Sequence, residues 1–174
     1  MDKKSKRRAS FGSSRGSSSN VQVYCRVRPM NEMERDRERL LSSVVTVTPP
    51  DTIVLTEEDN NHPFTFDYVF DEESTQESLF NRIALPVIHE VIKGYNGTIF
   101  TYGQTASGKT YTMEGTNDSG TAGIIPRSAI ALFELIRKSE VNLEFFISVS
   151  YIEIYMERIR DLLGKFFFFT FWNK

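Results

Sequence analysis

Cysteine is almost absent from these 174 residues: Cys25 is the single thiol, so no internal disulfide can form, which fits a reducing compartment. Histidine is nearly as scarce. His62 and His89 are the two in the chain, with no cysteine or second histidine at ligand spacing, so the common zinc patterns are excluded. Long apolar runs are missing as well. Even Phe166 to Trp172 is short and broken by Thr170, whereas a membrane helix needs about 20 such residues, so no membrane span is expected. The N-terminus lacks the apolar h-region of a secretory signal, and no internal repeat recurs at a period of about 20 to 50 residues. What is present suits a folded domain. The chain is 40% hydrophobic and 25% charged, with a length that fits one domain or one domain with a tail.

The net charge of −2 conceals an asymmetry. Residues 1–20 carry six Lys or Arg against Asp2 alone, with seven serines and two glycines, while the rest of the chain is acidic. Such a segment cannot bury enough surface to offset its ordering entropy, so a disordered basic leader is expected over 1–20. A basic arm can meet nucleic acid or acidic protein surfaces, but the plainer expectation is a solvated leader and no nucleic-acid partner. Within it, Arg7-Arg8-Ala9-Ser10 resembles a basic-directed phosphorylation site.

Beyond the leader, Val21 to Val27 reads as a β-branched core strand stopped by Pro29, which cannot donate to a ladder. Asn31 to Arg39 mixes both charges without an apolar stripe and suits an exposed loop or short surface helix. Val44 to Thr48, Thr52 to Thr56 and Phe64 to Phe70 read as short strands of a meander or small lobe, the last alternating Phe64, Phe66, Tyr68 and Phe70 at period 2. Ser74 with Glu77 forms a capping box for a helix that carries Leu79, Phe80, Ile83, Val87, Ile88, Val91 and Ile92 and ends at Gly94. A kink is expected at Pro86.

Thr98 to Tyr102 reads as a short strand, and a second helix is expected after Pro126 with Ala129, Leu132, Phe133 and Ile136 facing the core. Phe145 to Tyr155 reads as a central strand and Arg158 to Leu163 as the start of another helix. This alternation is the pattern of a parallel α/β sheet. The acidic groups Glu57-Glu58-Asp59 and Asp71-Glu72-Glu73 suit solvated turns or helix caps. The last ten residues, Lys165 to Lys174, hold five of the fourteen phenylalanines and the single tryptophan. They read either as an edge strand or as a sequence not selected to end a domain, giving a body over 21–163 and an atypical tail over 164–174.

The chemistry concentrates in Gly103-Gln104-Thr105-Ala106-Ser107-Gly108-Lys109-Thr110, which matches the phosphate-loop pattern GxxxxGK[ST]. Such a loop needs an apolar strand before it and a helix after it, so that backbone N–H groups and a helix N-terminus face negative charge. Gly103 and Gly108 let the backbone approach phosphates, Lys109 reaches toward the β and γ phosphates, and the Thr110 hydroxyl is the candidate Mg²⁺ ligand. The helix is short. Gly115, Asn117, Asp118, Ser119 and Gly120 follow within ten residues, and helical periodicity returns only after Ile124-Ile125-Pro126-Arg127.

The run from Asn96 to Gly115 is similar to the phosphate-loop block of kinesin motor domains. Supporting blocks occur in the family's order at Cys25 to Pro29, Phe66 to Phe70, Gly123 to Arg127, and Ser150 to Tyr155 continuing to Asp161, Leu162 and Leu163. The resemblance covers roughly Val21 to Leu163 and is nearest to conventional kinesin heavy chains. It implies an α/β, three-layer P-loop NTPase fold with a mostly parallel central sheet, incomplete at its C-terminal side. It also implies ATP and Mg²⁺ as ligands, microtubules as partner, and a cytoplasmic, cytoskeletal location. Arg26, Arg28 and Pro29 would pack against adenine and ribose, with Tyr111 stacking near the base, as an Arg plane and an aromatic ring can. At Met156 the family usually has asparagine.

Phosphoryl transfer also requires a water-positioning residue and an acidic strand end for the Mg²⁺ shell. Neither Asp118 nor Asp161 follows an apolar strand, and the family's two switch blocks and principal tubulin-binding segments are not among these residues. No catalytic residue is therefore identified. Two expectations follow: a microtubule motor driven by ATP hydrolysis, or a truncated or alternatively ended product that binds nucleotide without hydrolysis or motility. A small-molecule kinase fits worse, because of the interrupted helix and the adenine block. An incomplete open sheet would expose an apolar edge and lower solubility.

Overall fold

The computed structural model describes residues 21–38, 44–57, 60–116, 118, 120–139, 143–164 and 167–172. The basic leader with its Arg7–Ser10 motif, Arg39, Glu58, Asp59, Asn117, Ser119 and the outer residues of the Phe-rich tail lie outside them. The chain divides into two compact units, one up to Glu73 and one from Ser74 onward.

The first unit contains β1 (Tyr24–Arg26), α1 (Glu32–Glu38), β2 (Val45–Thr48), β3 (Thr52–Glu57), β4 (Asn60–Thr65) and β5 (Tyr68–Phe70). The expected meander is present: β2, β3 and β4 pair antiparallel, with Val47 opposite Ile53 and Ile53 opposite Phe64. Pro63 sits in β4, where an outer strand tolerates a missing donor. The single run expected over Phe64 to Phe70 is broken in two. At Phe66 and Asp67 the chain changes partner: Phe66 N still donates to Asp51 O at 2.8 Å, whereas Asp67 N donates to Val23 O at 2.9 Å and its carboxylate accepts from Val23 N at 2.7 Å. From there β5 runs parallel to β1, Cys25 opposite Val69. Val69 and Phe70 are buried, and the Tyr68 and Phe70 rings meet edge-on at 4.9 Å.

The second unit opens with α2 (Gln76–Leu79), a π-helical turn over Phe80–Ala84, and α3 (Leu85–Ile92). The cap is Thr75 and not Ser74: its hydroxyl accepts from Ser78 N at 3.1 Å. Ahead of Pro86, the Leu85 amide reaches back to Phe80 O, five residues away, so the strain of the proline is taken up by a wider turn. The helix stops at Gly94, which takes φ +100°, with Gly94 N on Val91 O and Tyr95 N on Glu90 O, the Schellman pattern. Leu79, Phe80, Ala84 and Ile88 form its buried stripe, and α5 (Ile124–Lys138) packs against it through Ile124 and Ile136. Ala129 and Phe133, expected on the core face of α5, are exposed.

Further differences concern strands. Thr98 to Tyr102 joins no ladder among the described residues, and Tyr102 is 96% exposed. The long strand expected over Phe145 to Tyr155 is two, β6 (Glu144–Val149) and β7 (Ile152–Tyr155), which take different partners; Leu162 N on Tyr151 O at 2.8 Å extends the pairing of the second. Arg158 to Leu163 does not start a helix; β8 (Arg158–Asp161) folds back on β7 with Ile154 opposite Ile159. The turn residues Met156 and Glu157 both take positive φ, +47° and +61°, as a two-residue I′ hairpin turn demands. Of the Phe-rich tail, β9 (Phe167–Trp172) pairs antiparallel with β6. One described ladder, β1 with β5, is parallel and the others are antiparallel.

Candidate functional site

The phosphate-loop residues turn immediately before α4 (Lys109–Met113). Ser107 N donates to Gln104 O at 3.2 Å to close the turn, with Ala106 at φ +65° and Gly108 at φ +95°. A Cβ on Gly103 would collide with the Ser107 side chain, so glycine is required where the loop folds over itself. Left-handed residues alternating with helical ones turn successive N–H groups to one side, which is the backbone geometry of an anion nest.

Lys109 is half-buried, and its ammonium donates to Gly103 O at 2.9 Å and Gln104 O at 2.7 Å. Among the described residues no carboxylate is paired with it. Thr110 is exposed at the start of α4, and Gln104, Thr105 and Ala106 are exposed along the loop. The donor set comprises backbone amides, one ammonium and the hydroxyls of Thr105, Ser107 and Thr110, without a loop carboxylate. That composition fits a polyphosphate, and a hard cation bound to it would take Thr110 Oγ1 with phosphate oxygens and water as its other ligands. Among the described residues no group of three or more His, Cys, Asp or Glu could hold a metal.

Helix α4 is short, as the glycines and turn residues after it imply. Glu114 N and Gly115 N both donate to Thr110 O, at 2.7 and 3.3 Å, and the chain leaves the helix at Gly115, φ +76°. The 115–122 loop closes on itself through the Gly115–Ala122 bridge, Thr116 N on Thr121 O at 3.2 Å, and paired Thr116 and Thr121 hydroxyls. Arg127 from α5 clamps the far side, donating to Ala122 O at 2.8 Å and Gly120 O at 3.3 Å. Tyr111, the expected base contact, is 41% exposed. Sequence reasoning passed over Gln76, which donates to Tyr111 O at 2.6 Å and Thr121 O at 3.1 Å. A glutamine in the first turn of an amphipathic helix carries no motif, so only its burial reveals it.

Arg26, Arg28 and Pro29 belong to the first unit. Arg28 forks onto Glu34, with Nη2 to Oε1 at 2.6 Å and Nη1 to Oε2 at 2.7 Å. Glu34 is also half of a capping box: Asn31 Oδ1 accepts from Glu34 N, and Glu34 Oε2 accepts from Asn31 N, each at 2.9 Å. The hydrogen bond to Arg28, backed by the Asn31 amide, holds the Glu34 carboxyl down to about 2, while the same bond raises the arginine. The charged stretch at Asn31 therefore makes a short helix anchored to Arg28.

Among the described residues no helix is long and apolar enough to cross a membrane. A family profile described as the kinesin motor domain matches residues 26–166. Kinesin-related protein 3 of Dictyostelium discoideum is 45% identical over 150 residues, covering 83% of this chain and 12% of that protein. Kinesin-1 heavy chain of Homo sapiens is 46% identical over 145 residues, covering 83% of this chain and 14% of that protein. A solved structure described as a fast kinesin, with implications for ATPase mechanism and interactions with microtubules, superposes with a TM-score of 0.76 at 42% identity. It covers 82% of this chain and 40% of that one. The chain thus spans well under half the length of the relatives it matches.

Proposed function

The chain belongs to the kinesin motor domain family, with that family's α/β P-loop fold, and from this premise we propose that it is the ATP-binding part of a microtubule motor. The observation that carries the reading is the Lys109 ammonium, poised on the carbonyls of Gly103 and Gln104 inside a left-handed loop without a carboxylate partner among the described residues. Gly103, Gln104, Thr105, Ala106, Ser107, Gly108, Lys109 and Thr110 bind the triphosphate, and Thr110 ligates Mg²⁺. Tyr111 stacks near the base, and Arg26, Arg28 and Pro29 contribute to the adenine and ribose side. Bound Mg²⁺ supplies charge neutralisation at the phosphates; the protein groups bind and orient them.

In the longer chains of this family, ATP hydrolysis is coupled to movement along microtubules, and we assign this chain to that activity and to the microtubule cytoskeleton of the cytoplasm. Among the described residues the acidic strand ends, Glu57 of β3 and Asp161 of β8, close antiparallel ladders, and no water-positioning residue is identified beside the phosphate loop. Assayed alone, this polypeptide is expected to bind nucleotide without turning it over. Calorimetry with Mg-ATP and phosphate release with and without microtubules separate these points. Saturable binding with no microtubule-stimulated release is the expected result. Stimulated turnover would overturn the binding-only reading, and absence of binding by a folded sample would overturn the nucleotide site itself.

A further inference from the structure

Gln76 is the buried polar side chain among the described residues, 4% exposed, in a unit whose interior is otherwise apolar. A primary amide has two donor hydrogens on one nitrogen, and here they reach two different segments. In a continuing α-helix the Gly115 amide would go to the Tyr111 carbonyl. Instead it turns to Thr110 O, and Gln76 Nε2 takes Tyr111 O at 2.6 Å. The second acceptor, Thr121 O at 3.1 Å, also receives Thr116 N and belongs to the closure of the 115–122 loop. One side chain from α2 therefore sets the spacing between the end of α4 and that loop. The phosphate loop is held separately, by Ser107 N and Lys109 Nζ on the carbonyls of Gly103 and Gln104.

We propose that Gln76 is a positioning residue for the base half of the nucleotide site: it fixes the Tyr111 backbone, and through it the ring that meets adenine, while the phosphate half is set without it. The inference rests on the nucleotide reading above. Gln76→Met keeps the side-chain length and loses both donors, so Tyr111 O loses the Gln76 bond and Thr121 O is left with Thr116 N.

The test titrates the 174-residue chain and Gln76→Met with Mg-ATP and with Mg-tripolyphosphate, which lacks a base. The variant is expected to weaken ATP about tenfold and tripolyphosphate less than about twofold. The ratio of the two constants is the readout, because a smaller folded fraction weakens both ligands equally and leaves the ratio unchanged. In a Tyr111→Leu background the effect of Gln76→Met on the ratio should vanish. An unchanged ratio in Gln76→Met, or a full effect surviving in Tyr111→Leu, overturns the proposal while leaving the phosphate loop intact. A folded wild-type chain that binds neither ligand overturns the nucleotide reading and this one with it. If Gln76→Met yields no folded protein, Gln76→Asn, with the same donors on a shorter stem, is read instead. A ratio between wild type and Tyr111→Leu supports the proposal, and a wild-type ratio sinks it.

Discussion

Two cations in this chain are held in opposite ways. In the first unit the Arg28 guanidinium forks in plane onto the Glu34 carboxylate, a charged partner that also caps α1. In the second, the Lys109 ammonium rests on two neutral carbonyls. A cation on a carboxylate has its charge answered, whereas a cation on carbonyls is oriented but not neutralised and gains strongly when an anion arrives. This contrast supports the proposed ligand role of Lys109 and a first role in the fold for Arg28. In-plane bonds to Glu34 still suit an arginine that stacks with its flat face, which keeps its proposed adenine role compatible with the clamp.

The largest effect that can break this contrast comes from Lys109→Ala. Mg-ATP affinity should fall about a hundredfold with the melting temperature nearly unchanged, and calorimetry beside a thermal melt checks both. If the lysine were a structural tether, the melt would drop and affinity would follow it. Lys109→Arg should cost about tenfold in affinity, since a planar fork cannot reproduce a point charge seated on two converging carbonyls.

Arg28→Ala should show the reverse ranking. A loss of about two degrees in melting temperature is expected, because the pair is roughly one-third exposed on both sides and solvent-screened, with ATP affinity changing about threefold at most. The smallest effect is that of pH. The Glu34 carboxyl lies near 2 in the fold against an ordinary 4.5, so its contribution is fully present above about pH 4.5 and is lost as pH falls toward 2. A carboxyl NMR titration of Glu34 with an unshifted midpoint would show that the fork does not persist in solution.

How much was legible beforehand varies with the range of the interaction. The turn over 103–110, the short helix after it, the Gly94 stop and the β2–β3 hairpin were readable, because each depends on residues within a few positions of one another; the third strand of the meander covers Asn60–Thr65 and not the expected Phe64 to Phe70. The errors fall where a distant partner decides. Phe66 and Asp67 break a well-alternating strand because Val23 competes for the backbone, and the apolar run after Glu144 divides because β6 pairs with β9 while β7 pairs with β8. Met156 and Glu157 are not turn-formers, yet both adopt left-handed backbone, because the pairing of β7 with β8 demands a two-residue turn there. The sequence pointed to Ser74 as the cap, whereas the Ser78 amide bonds Thr75 instead, one residue on.

Eight consecutive residues, two of them glycines, were enough to specify the turn over 103–110, since its hydrogen bonds close within the turn itself. Tertiary structure alone chose what surrounds it: that Gln76 reaches 35 and 45 positions along the chain to Tyr111 and Thr121, and that α5 lends Arg127 to the neighbouring loop. Local geometry is written in local spacing. Bonds between segments depend on an apolar stripe such as Leu79, Phe80, Ala84 and Ile88 holding distant positions together, and no pattern at short range encodes them.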